Sequence, residues 1–380
     1  MTPVHRLDGS NAGGQFLRTA LGLSVVRNES IRIENVRGDR STPGLRHQHL
    51  AVLETIAEIC DADVSGDGVG SETIEFDPDL PTNGRRGGRS DRSSPRRTDR
   101  RGSLDGGDYA VDIGTAGSIT LLFDALVPLA SVLESPLSVT VSGGTDVKWS
   151  PPIDYTRYVK LPLLRTFGLS VACEVDRRGF YPDGGGRATL HLGPSRFDRI
   201  ELLERGPLEG IRLYSTEAAT LSDRDVAHRQ AEGALERLES NLGAAVDADR
   251  DGDGSVLEPI ERRETTAGSD CPGTAIVLRL DYATGAVGFG ALGERGTPAE
   301  RVGELAADAA LRHLTGAAPV DRHLADQLLV VLAIAGGRIR IPSGTDHVKA
   351  SCDLLEAVGG AVEREQDGRG TVVSVTPLDG

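Results

Sequence analysis

The chain has 380 residues, 42 of them Lys or Arg and 57 Asp or Glu, which gives a net charge of −15 and a pI near 5.0. Lysine occurs only at Lys148, Lys160 and Lys349, so nearly all positive charge is arginine. An acid-rich, lysine-poor surface suits a salt-loving cytoplasm and argues against non-specific duplex binding, while leaving room for a local arginine cluster that grips one phosphate. With 38% hydrophobic residues, the chain can bury a core large enough for two or more domains. Cys60, Cys173, Cys271 and Cys352 form no C-x-x-C pair, so neither a zinc site nor a disulfide framework is expected. Residues 1–8 hold no apolar signal segment and no run of about 18 apolar residues exists, so a soluble cytoplasmic protein is expected.

In chain order, residues 3–76 predict strand, Gly-rich turn, helix over 15–26, strand 31–36, helix 45–60 and short strands ending at 73–76, a βαβαββ unit. On the second helix Leu50, Leu53, Ala57 and Cys60 share one face, with Gln48, Glu54 and Glu58 on the other. Residues 79–107 are rich in Arg, Gly, Ser and Asp, including Arg85, Arg86, Arg89, Arg92, Arg96, Arg97, Arg100 and Arg101, and read as a disordered loop or, secondarily, an RNA-gripping arm. The βαβαββ order returns with strand 109–113, turn 114–118, a helix to about 132, strand 137–141, helix 154–169 and strands 171–176 and 187–192. Residues 203–315 interrupt the repetition with their own strands and two amphipathic helices, 223–242 and 298–314, and are expected to form an inserted domain. A third, fainter unit closes the chain with helix 324–335, strand 338–341, helix 347–358 and strands near 362 and 372–375.

The expected architecture is therefore α/β (α+β), with three βαβαββ repeats in pseudo-threefold arrangement and a smaller inserted α/β domain. Repeats one and two fill residues 1–202, the insertion 203–315 and the third repeat 316–380.

The motifs follow this framework. Asp8-Gly-Ser-Asn-Ala-Gly-Gly-Gln-Phe-Leu-Arg18 is a Gly-rich turn opening a helix, where free N–H groups and the helix dipole favour an anion. Arg37-Gly-Asp-Arg-Ser-Thr-Pro-Gly-Leu-Arg-His-Gln-His49 puts Arg37 and Arg40 in a loop and Gln48 and His49 in the first turn of a helix, and arginine forks match phosphate oxygens. Asp247, Asp249, Asp251, Gly252 and Glu258 have calcium-loop spacing, but Gly254 stands at the usually apolar position and Pro259 follows, so an acidic surface loop is expected.

Together with Gly107–Ser118, Gly143–Tyr155, Arg178-Gly-Phe-Tyr-Pro-Asp-Gly-Gly-Gly186 and His323-Leu-Ala-Asp-Gln327, these blocks resemble, in order, the RNA 3'-terminal phosphate cyclase family. The resemblance implies conversion of an RNA 3'-phosphate end to a 2',3'-cyclic phosphodiester, with ATP and a divalent metal (magnesium or manganese), through a covalent histidine–AMP intermediate that releases pyrophosphate and AMP. It implies that His347, nine residues before Glu356, is the nucleophile. Gln15, Arg18, Arg37, Arg40, Gln48 and His49 would bind phosphates, Pro151, Tyr155 and His323 would flank adenine, and Asp326 and Gln327 would complete the nucleotide site. Where the family has a first-loop glutamate that helps hold the metal, this chain has Ser10-Asn11-Ala12, and no metal ligand is assigned. A non-catalytic, RNA-binding branch serving ribosome assembly lacks the histidine that His347 retains. Enolpyruvyl transferases share the repeat but have six copies and lysine-rich phosphate sites.

Overall fold

A computed structural model describes residues 5–81, 102–114, 116–245, 259–342 and 344–378. The arginines from Arg85 to Arg101 and the acidic loop 247–258 lie outside the described residues.

The first unit runs β1 (His5–Asp8), α1 (Gly14–Arg27), β2 (Ile31–Glu34), α2 (His47–Cys60), β3 (Asp63–Ser65) and β4 (Ile74–Asp77). Its sheet has the order β1-β2-β4-β3, parallel between the first two strands and antiparallel elsewhere. The second unit runs β5 (Gly107–Asp112), α3 (Ile119–Leu126), β6 (Leu137–Gly143), α4 (Ile153–Tyr155), α5 (Leu161–Thr166), β7 (Val171–Arg177) and β8 (Gly186–Leu192). Pro128 follows α3 and the backbone tightens into a 3-10 turn over Val127–Ser131, so this helix is shorter than its apolar pattern. The second sheet, β5-β6-β8-β7, repeats the order and directions of the first. Along β6 burial alternates, with Leu137, Val139 and Val141 turned inward.

Next comes β9 (Ile200–Leu202), and then the insertion: β10 (Leu208–Ala218), α6 (Val226–Ala245), β11 (Glu261–Ala267), β12 (Thr274–Tyr282), β13 (Gly285–Leu292) and α7 (Ala299–Leu314). Its sheet, β11-β10-β12-β13, carries a separate core of Ile211, Leu213, Ile276, Leu278 and Leu280 against Ala231, Ala234, Val302 and Ala306 of the two helices. Glycine lets these helices meet backbone to backbone, since a Cβ on Gly303 would lie 2.0 Å from the Gln230 carbonyl oxygen.

The chain closes with α8 (Arg322–Gln327), α9 (Leu329–Ala335), β14 (Gly337–Ile341), α10 (Asp346–Ala357), β15 (Val362–Gln366) and β16 (Thr371–Val375). Here the sequence-based boundary needs correction. The parallel neighbour of β14 is β9, paired from Gly337↔Ile200 to Ile339↔Leu202, so Ile200–Leu202 belong to the third sheet and the insertion interrupts that unit after its first strand. A three-residue strand is too short for alternation to reveal it.

Helices of all three units meet around α1, which contacts α2, α3 and α10. Every residue from Phe16 to Val25 is buried, so α1 has no wet face. It begins at Gly13 with no side-chain cap and ends at Asn28 in the left-handed conformation (φ 51°).

A buried ion triad lies within the second unit, at its contact with the insertion. Arg178 donates to Asp146 through Nε and Nη2, both at 2.8 Å, and to Asp154 through Nη1 at 2.7 Å. Thr216 of β10 adds a hydroxyl to Asp154 at 3.3 Å. Replacing Arg178 by Ala leaves two carboxylates buried without their cation, and a loss of about 3–5 kcal/mol in unfolding free energy is expected in a denaturant titration.

Candidate active site

The uncapped start of α1 is the centre of the site. Gly13 and Gly14 keep the backbone bare there: a Cβ on Gly13 would lie 3.5 Å from Arg40 Nη2 and 3.5 Å from His347 Cε1, so Arg40 and His347 face each other across this turn. On Gly14 a Cβ would come within 2.6 Å of His49 Nε2 and 3.2 Å of Arg18 Nη1. The structure thus gathers Arg18, Arg40, His49 and His347 around one helix N-terminus, a place that favours anions by its free N–H groups and dipole. Arg37 joins His49, Gly13 and Gly14 around a small cavity under the loop, with Nη1 donating to the carbonyls of Thr42 (3.1 Å) and Gly44 (2.9 Å).

His347 is exposed in the first turn of α10, whose start is capped by the Thr345 hydroxyl accepting from the Val348 N–H at 3.2 Å. Partial desolvation, then Arg40 and Arg18, hold its pKa below the ordinary histidine value. His49 is a fixed neutral group. Its Nδ1 accepts from the Arg46 N–H at 3.2 Å, which assigns the proton to Nε2, the nitrogen facing Gly14. Burial and the charges of Arg37, Arg18 and Arg46 push its pKa down to about 3.

Arg18, 7% exposed, is anchored by Nη2 donating to Gln15 Oε1 at 2.6 Å, while its Nε has no partner. Burial opposes its charge, and Asp124 and Asp326 support it. Behind it Gln15, Asp124, Lys160 and Gln327 line a small internal cavity in which Asp124 Oδ2 and Gln327 Oε1 are also unpartnered. Asp124 accepts from Lys160 on its other oxygen. The Asp326 carboxyl is pushed up to about 7 by burial, against the pull of Arg18 and Lys160.

The remaining residues stand on the opposite side. His323 meets Tyr155 edge to face, ring centres 5.6 Å apart, and feels the charge of His347. Asp321 fixes this arrangement: at 1% exposure it accepts from the Tyr155 hydroxyl (2.8 and 2.9 Å), the Gly288 N–H (3.0 Å) and the His323 and Leu324 N–H groups that open α8 (2.8 and 3.0 Å).

One expected role changes. Tyr155 is 1% exposed, so it braces His323 from behind and offers no free face to a base. Gln48 bridges the Ser118 peptide, accepting from its N–H and donating to its carbonyl at 3.1 Å, which ties α2 to the start of α3 and leaves one amide N–H free. Pro151 is buried with its carbonyl accepting from Thr120 at 3.1 Å. Sequence reasoning missed Asp124, Lys160 and Asp321. An aspartate just before a helix was a readable cap signal for Asp321, whereas the Asp124–Lys160 pair spans two helical segments and left no local trace.

The described residues do not fit a resident divalent metal. No three His, Cys, Asp or Glu side chains come together among them, Asp8 is occupied by Ser10 and Asn35, and Asp326 sits beside cations.

His49 gives a test in stability. Its folded pKa lies below the unfolded value, so the stability tied to neutral His49 is complete above about pH 6.5 and drains away as pH falls towards 3. His49→Gln should therefore lose less stability than the parent between pH 7 and 4, measured by denaturant midpoints.

The family model for RNA 3'-terminal phosphate cyclase matches residues 10–362. A protein of Halobacterium salinarum named RNA 3'-terminal phosphate cyclase is 43% identical over 370 residues, 97% of this chain and 99% of its own length. Proteins of the same name from Methanopyrus kandleri and Pyrococcus furiosus are 40% and 35% identical, covering 87% and 96% of this chain and 86% and 96% of theirs. An enolpyruvyl transferase structure from Streptomyces tendae aligns at 13% identity with a TM-score of 0.23, over all of this chain and 66% of that one, too remote to bear on either fold or function. A bare helix start ringed by arginines and two histidines, and relatives aligned over nearly the whole length, give one conclusion: this chain belongs to the RNA 3'-terminal phosphate cyclase family.

Proposed function

We infer that this chain uses ATP to convert an RNA 3'-terminal phosphate into a 2',3'-cyclic phosphodiester, with His347 as the nucleophile. The observation that carries the reading is the meeting of His347 and Arg40, each 3.5 Å from where a Gly13 Cβ would stand, over the uncapped start of α1. A neutral imidazole there faces a site made for phosphate oxygens.

In the first step an imidazole nitrogen of His347 attacks the α-phosphorus of ATP, the N–P bond forms, the bond to the bridging oxygen breaks, and pyrophosphate leaves. Arg40, Arg18 and the bare N–H groups of α1 take up charge on the phosphate oxygens, and His49 adds a neutral Nε2–H. In the second step an RNA 3'-phosphate oxygen attacks the same phosphorus and His347 departs. In the third the 2'-hydroxyl attacks the RNA phosphorus, AMP leaves and the hydroxyl proton is lost. Arg18, held by one hydrogen bond to Gln15 and supported by Asp124, is in place before any ligand arrives.

Incubation with ATP labelled in its α-phosphate should leave acid-labile AMP on the protein, and His347→Ala should remove it entirely. A chain that binds structured RNA yet never takes up label belongs to the non-catalytic branch. The depressed pKa of His347 sets the pH response: protonation destroys the nucleophile, so the labelling rate should still exceed half its maximum at about pH 6.5 and reach half only in more acid solution. A rate already halved at pH 6.5 would contradict this.

A further inference from the structure

A cavity of about 850 Å³ opens between the second unit and the inserted domain, outside the site described above. Its lining holds four cations, Lys148, Arg224, Arg229 and Arg295, and two carboxylates, Asp146 and Glu294. Asp146 is consumed by Arg178, Lys148 meets Glu294 at 2.9 Å, and Arg229 is forked on Glu300 at 2.7 and 2.9 Å. Arg224 and Arg295 are exposed and make no ion pair among the described residues. In a protein of net charge −15, one cavity therefore keeps two unspent guanidinium groups.

At the same opening stands Trp149, 87% exposed and with φ at 65°, a left-handed conformation that a bulky residue adopts only at a cost. Its ring meets that of Tyr181, a lining residue, edge to face at 6.1 Å, and Lys148 lies over the Tyr181 ring at 5.1 Å. An indole this exposed contributes little to the core, and its backbone conformation holds it outward. Flat rings beside unpaired arginines are what an unpaired nucleotide strand requires: bases to stack, and phosphates to fork.

We propose that this cavity receives the single-stranded RNA adjoining the reacting 3' end, with bases stacked on Trp149 and Tyr181 and phosphates held by Arg224 and Arg295. The proposal rests on the functional reading above, because Trp149 is two residues from Pro151 and so within about 7 Å of backbone of the nucleotide site. Duplex RNA is disfavoured, since its bases are already stacked and the overall charge repels it.

Trp149 is the only tryptophan, so its emission reports occupancy directly. The probe is a 3'-hydroxyl oligoribonucleotide of about eight residues, which has no phosphate to activate and therefore tests binding apart from chemistry. Saturable quenching by the single strand is expected, with little by a duplex of the same sequence. By anisotropy of a labelled strand, W149A should weaken binding about fivefold or more, and the R224Q/R295Q pair at least as much, with thermal midpoints unchanged. RNA that binds without altering Trp149 emission, equal quenching by duplex, or an unchanged Kd in R224Q/R295Q would overturn the proposal and leave the cavity to a protein ligand. Absence of RNA binding overturns it as well. Quenching that persists in a chain that never takes up AMP would sink the functional reading alone.

Discussion

A guanidinium held inside the central helix is the constraint from which the rest of the site follows. Arg18 lies on α1 between residues that are all buried, and a charge in such a place persists only with partners on every side. Gln15 holds one nitrogen, Asp124 and Asp326 supply opposite charge, and Lys160 in turn balances Asp124. These groups come from separate units, so the polarity of one arginine couples the first, second and third repeats. The unpartnered Nε of Arg18 and the free oxygens of Asp124 and Gln327 form the part of that network left open to a ligand or a water.

The site is divided between rigid and approachable parts. His49 and Tyr155 are locked by backbone and buried carboxylate contacts, and neither needs to move to do its work. His347 and Arg40, by contrast, are exposed at the rim of the bare start of α1. Asp321 shows how such a division is built. One carboxylate with four donors fixes the start of α8, the depth of Tyr155 and the orientation of His323 together.

Much of this was legible in the sequence because it is local. The Gly-rich turn, the arginine loop and the histidine opening α10 each sit at an element boundary, and helix and strand periods located those boundaries within a few residues. What escaped was non-local. Ile200–Leu202 pair with a strand 137 positions away, and the Asp124–Lys160 bridge joins two helices, so no window of sequence contains either. The Arg178 motif was read as part of a functional signature, yet the structure spends it on the Asp146–Arg178–Asp154 triad inside the second unit. Gln48 also has a structural task, holding the Ser118 peptide at the start of α3.

The split third sheet also orders events during synthesis. On a ribosome β9 emerges long before β14, so the sheet it founds stays incomplete until the last stretch of the chain is released, while the insertion already has all residues of its separate core. Until then the side of α1 that packs against α10 lacks its cover. His347 arrives on that final segment. A chain cut short before that segment has Arg18, Arg37, Arg40 and His49 but lacks His347, so premature termination leaves the cluster at the start of α1 incomplete.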